Sequence, residues 1–95
     1  MRPFYRRRLE GLAVTNPQTD GLWKREGIWA GYSYWRRPAN DMYLYRQPVG
    51  GIWVISPTLG ATQPPFFINS TKVESTYYPS GGFTGNAIMQ FREPW

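Results

Sequence analysis

Few side chains in this sequence can move a proton or attack a bond. There is no His and no Cys. That removes the group that most often transfers protons near neutral pH, the thiol nucleophile, disulfide staples and the commonest zinc ligands. The acids are Glu10, Asp20, Glu26, Asp41, Glu74 and Glu93, and the lysines are Lys24 and Lys72. A Ser beside a Lys amine can act as an activated nucleophile, and two carboxylates can form a glycosidase pair. Such pairs sit in long clefts that a chain of 95 residues rarely builds. The run Gly81-Gly82-Phe83-Thr84-Gly85-Asn86 lacks the Lys-Ser/Thr ending of a phosphate loop and reads as a turn that exploits glycine's freedom at positive φ. The expectation is a non-enzyme, with no catalytic residues, no metal and no cofactor.

Binding chemistry is better represented. Arg2, Arg6, Arg7 and Arg8 place four of the eleven basic residues at the N-terminus, leaving seven basic and six acidic residues in the rest of the chain. A basic arm on a nearly neutral body suits an anionic partner, either phosphates or an acidic protein surface. Phe4 and Tyr5 lie within this run and are candidate apolar anchors beside the charges.

The elements that must carry these groups read as strands. Seventeen aromatic residues, ten Gly and nine Pro favour short extended segments separated by turns. Pro3, Gly11, Asn16-Pro17 and Asp20-Gly21 discourage helix early in the chain, so residues 1–20 are expected to be an extended basic arm, with Leu12-Ala13-Val14 a short strand at most. Strands are predicted over 21–29, 32–37, 42–47 and 52–56, with later ones over 65–69, 73–78 and 87–91. The expected fold is all-β: a small antiparallel meander or sandwich of six or seven short strands, forming a single domain over 21–95.

Pro38-Ala39-Asn40-Asp41 and Pro48-Val49-Gly50-Gly51 have the length of hairpin connections. They set Arg37 opposite Met42, Trp35 opposite Leu44 and Tyr34 opposite Tyr45, then Gln47 opposite Ile52, Tyr45 opposite Val54 and Leu44 opposite Ile55. Alternation then separates two faces. Trp35, Met42, Leu44, Trp53 and Ile55 share one. Tyr34, Arg36, Tyr43, Tyr45, Ile52 and Val54 share the other. The first is expected to be covered by later strands and the second to stay partly wet, so Tyr34, Arg36, Tyr43 and Tyr45 form a candidate surface aromatic patch. Such a row can stack on bases or sugar rings or form a protein interface, and it can equally be core.

The string Gly27-Ile28-Trp29-Ala30-Gly31-Tyr32-Ser33-Tyr34-Trp35, followed by Met42-Tyr43-Leu44-Tyr45 and by Trp53-Val54-Ile55-Ser56 with Leu59-Gly60, resembles the short aromatic-rich β-meander modules of tailed-phage structural proteins and microbial surface proteins. The likeness spans residues 21–91 and leaves the arm outside. It implies a non-catalytic structural or adhesive module.

Together these readings lead to an expected accessory structural protein of a virus particle. It would decorate or cement a bacteriophage capsid, or sit on a tail, held to other virion proteins by Arg2, Phe4, Tyr5, Arg6, Arg7 and Arg8. Self-association is left open. A small nucleic-acid-binding β-barrel and a carbohydrate-binding adhesion module are the alternatives, and nucleic acid ranks lower because the body carries a net charge of only +1. The longest apolar run, Ile52-Trp53-Val54-Ile55, falls far short of the roughly 20 residues of a spanning helix. No apolar stretch follows the N-terminal arginines as in a signal peptide. The expected location is therefore the virion, after synthesis in the host cytoplasm, with no membrane partner.

Overall fold

The computed structural model describes residues 8–12, 17–62, 66–69, 72–81 and 84–92. Eight strands run in chain order: β1 Arg8–Gly11, β2 Gly21–Trp29, β3 Tyr32–Arg37, β4 Met42–Arg46, β5 Trp53–Ser56, β6 Phe66–Asn69, β7 Thr76–Ser80 and β8 Ala87–Arg92. Each pairs antiparallel with its neighbours, and β1 pairs with β8 to close a barrel. The class is all-β, with eight strands rather than six or seven.

Local sequence explains the hairpins. Ala30 and Gly31 take φ of 52° and 88°, the left-handed pair that a two-residue turn needs to match strand twist. Asp41 donates its N–H to Arg37 O at 2.9 Å to close β3–β4, and Gln47 donates to Ile52 O at 2.8 Å to close β4–β5. The expected register follows: Arg37↔Met42, Trp35↔Leu44, Leu44↔Ile55 and Tyr45↔Val54. The expected pairing of Tyr34 with Tyr45 does not form. The β3–β4 ladder stops at Trp35↔Leu44, and Tyr34 pairs instead with Gly27, beyond a bulge between Arg25 and Gly27.

Every strand contributes one large side chain to the interior: Leu9, Trp23, Trp35, Leu44, Ile55, Phe67, Tyr77 and Met89, all buried. Eight strands leave an interior just wide enough for side chains to fill, and burying each stabilises by about 1.5–3 kcal/mol. Met42, Trp53 and Ala87 complete this cluster. Among the described residues no buried side-chain nitrogen or oxygen lacks a partner.

The largest departure from the sequence reading is at the N-terminus. Arg8–Gly11, assigned to the arm, is the strand that closes the barrel: it pairs with β2 and β8 and sends Leu9 into the core. Without it both partners would expose unpaired edges. The folded unit therefore begins by residue 8, not 21. Gly11 is required there because a Cβ would overlap the Thr19 carbonyl, which accepts the Trp23 Nε1–H at 2.9 Å. Residues 13 and 14 of the Leu12-Ala13-Val14 segment lie outside the described residues.

At the other end of the chain, β7 starts at Thr76 rather than at residue 73. Val73 lies in the β6–β7 connection, packs on the core, and accepts the Tyr77 O–H at 2.8 Å. Pro79 fits within β7 because the β8 ladder covers only Thr76 and Tyr77, so the missing N–H costs that side no bond.

Candidate functional surface

The two faces separate as the alternation implies, but the outer one is not a single wet patch. Residues 57–62 leave β5 and fold back over the outside of β4 and β5. There Ala61 O accepts both the Tyr45 O–H at 2.7 Å and the Gln47 Nε2–H at 2.8 Å. Trp29 meets Tyr45 edge to face at 5.2 Å between centroids and lies against Gly60. Tyr45 and Val54 are fully buried under this strap, with Trp29, Tyr34, Tyr43, Ile52, Leu59 and Ile68 packed around them. Tyr45 is therefore a core residue of an outer cluster, not a surface contact. Burial pushes its phenol upward in pKa, against contacts from Ser56, Gln47, Ala61 and Gly60 that act the other way.

Arg36 is also committed. Its Nη1 meets Asp41 Oδ1 at 2.8 Å and its Nη2 meets Glu26 Oε2 at 3.3 Å; the hydrogen bond it donates to Asp41 is the largest cause of its raised pKa. Tyr34 and Tyr43 remain half-buried, with ring centroids 6.4 Å apart. Of the four candidate patch residues, these two keep accessible ring surface.

Sequence reasoning missed Tyr78. It lies across from Ile68 on the same outer wall, is 58% exposed, and borders a groove of about 380 Å³ with Ile68, Asn69, Pro79 and Ser80. The Tyr77-Tyr78 pair was the available signal: if one ring faces in, alternation sends the other out.

Of the arm, Arg2, Phe4, Tyr5, Arg6 and Arg7 lie outside the described residues. Arg8 is exposed on β1, directly opposite Arg92.

The described carboxylates are all engaged. Asp20 meets Arg37 at 3.0 Å, Glu10 meets Arg92 at 3.0 Å, and Glu26 and Asp41 share Arg36. Glu74 Oε2 accepts the Phe91 N–H at 3.0 Å, a bond at the seam where β7 and β8 share only two ladder pairs. Among the described residues no group of three or more acids could hold a metal ion, and none lies in a helix long enough to cross a membrane. No protein-family model, curated protein or solved structure matches the chain.

Proposed function

We propose that this chain is a non-catalytic docking module, an accessory structural protein of a virus particle that sits on a capsid or tail. The observation that carries the docking role is the outer wall. A barrel already filled inside still presents Tyr34, Tyr43, Ile68 and the exposed Tyr78 outside, and aromatic rings on a rigid surface are what protein interfaces concentrate. The partner that suits this wall is a neighbouring structural subunit. The arm residues Arg2, Phe4, Tyr5, Arg6, Arg7 and Arg8 are the second attachment in this reading, with the arginines meeting acidic groups of that neighbour. The likeness to phage β-meander modules supports the choice of particle.

Two measurements test the proposal. Gradient-purified virus particles from cells that make the chain should contain it in fixed ratio to the shell or tail protein; recovery only in the particle-free fraction would sink the virion reading. Within such particles, Tyr78→Glu should lower incorporation, as should removal of residues 1–7. A deletion to residue 11 would not serve, because it takes out β1.

A further inference from the structure

Connections in an antiparallel meander alternate between the two ends of the barrel. One end holds the start of β1, the end of β8, and the β2–β3, β4–β5 and β6–β7 connections. The opposite end holds Arg37 with Asp20, and Arg36 with Asp41, so its cations are matched. The first end is different. Arg8, Arg46, Lys72 and Arg92 lie at it, against Glu74, which is turned to the Phe91 N–H, and Glu10, which serves Arg92. Arg8, Arg46 and Lys72 have no carboxylate partner among the described residues.

Two local features go beyond a surplus of charge. Arg8 and Arg92 are directly opposite across the β1–β8 ladder, where like charges destabilise a sheet, and the nearby carboxylate of Glu10 is paired with Arg92. In addition, the Arg46 guanidinium lies 4.3 Å over the Tyr32 ring, and Tyr32 meets Trp53 edge to face at 6.1 Å. Trp53 belongs to the buried core cluster, while Tyr32 remains 45% exposed. An exposed aromatic ring with a guanidinium over it, at the barrel end that also carries Arg8 and Lys72, is a base-stacking platform on the same rim as phosphate contacts.

The geometry points to this rim as a binding site for single-stranded nucleic acid. Bases stack against Tyr32, and Arg8, Arg46 and Lys72 supply the charges that meet the phosphate chain. The basic sequence Arg2 to Arg7 joins the barrel at this same end, through Arg8. The site is distinct from the Tyr34, Tyr43 and Tyr78 wall, and it would bind whether or not the chain belongs to a particle.

Fluorescence anisotropy of the full chain with a labelled oligothymidylate tests the assignment. Binding should weaken linearly in log–log form between about 50 and 200 mM salt. Arg46→Gln, Lys72→Gln and Arg8→Gln should each lower the slope by about 0.7, the value for one phosphate contact on a single strand. Lys24→Gln, an equal loss of charge away from the rim, should leave the slope unchanged. Tyr32→Ala should weaken binding by about 5- to 100-fold and Tyr32→Phe should not, which separates stacking from the phenol. Absence of binding at 50 mM salt, or an equal effect of Lys24→Gln and Arg46→Gln, overturns the site. Equal displacement of the strand by polyglutamate, which has no bases, overturns nucleic acid as the ligand in favour of an acidic protein.

Discussion

Tyr77 and Tyr45 are both fully buried, and each donates its phenolic O–H to a loop carbonyl. Tyr77 does so from inside the barrel, to Val73 at 2.8 Å; Tyr45 does so from outside, to Ala61 at 2.7 Å. What covers them differs. Tyr77 lies in the interior cluster of the barrel, and desolvation pushes its pKa far upward. Tyr45 is covered by one loop, and hydrogen bonds at its oxygen offset part of the desolvation. A small barrel can thus bury rings on both faces of one wall. The inner layer depends on ring closure, whereas the outer depends on a strap that can open alone.

The strongest challenge to this contrast is to truncate one tryptophan in each layer. Trp23→Ala removes the largest interior side chain and releases the Thr19 carbonyl, and should cost about 3–5 kcal/mol in urea unfolding. Trp29→Ala acts on a half-buried ring of the outer cluster and should cost about 2 kcal/mol. Equal costs would mean that the strap is as integral as the barrel.

Alkaline pH gives the next effect. Both phenols titrate above their ordinary value of 10.0 when folded, so the native chain holds protons that the unfolded chain gives up. Their contribution is complete below pH 10 and is lost progressively above it. Tyr77→Phe should flatten that decline more than Tyr45→Phe. Denaturant midpoints measured between about pH 8 and 11 show the order, and a reversal would break the distinction between the two layers.

These layers were legible where local chemistry sets them. The four-residue connections at 38–41 and 48–51 fixed the register of β3, β4 and β5, and period-2 alternation then put Trp35 with Leu44 and Tyr45 with Val54. β1 was not legible, because Arg8-Leu9-Glu10-Gly11 has one apolar side chain besides its glycine and becomes a strand only by pairing with two distant segments. The strap was equally hidden, since nothing in residues 57–62 signals that Ala61 O will collect two donors. For the same reason the sequence leaves Tyr45 open between surface patch and core. The Arg46–Tyr32 contact lies at the open end of the β3–β4 hairpin, beyond its last ladder pair Trp35↔Leu44; the register brings these two residues near each other but does not set the guanidinium over the ring.

The smallest effect sharpens the contrast most. Tyr77→Phe deprives Val73 O of its 2.8 Å donor where the β6–β7 connection packs on the core and should cost about 1–3 kcal/mol, the usual penalty for an orphaned buried group. Tyr45→Phe should cost about 0.5–1 kcal/mol, because Ala61 O keeps the Gln47 Nε2–H at 2.8 Å. Removing Gln47 as well, in Tyr45→Phe with Gln47→Ala, takes away both side-chain donors to Ala61 O, so the pair should cost more than the two single changes added together. The excess should appear as faster amide exchange over 57–62 with the β1–β8 ladder still protected. If exchange in the strap does not change, Trp29 packing against Tyr45 and Gly60 is what holds it down, and the outer cluster is stabilised by ring contact rather than by hydrogen bonds.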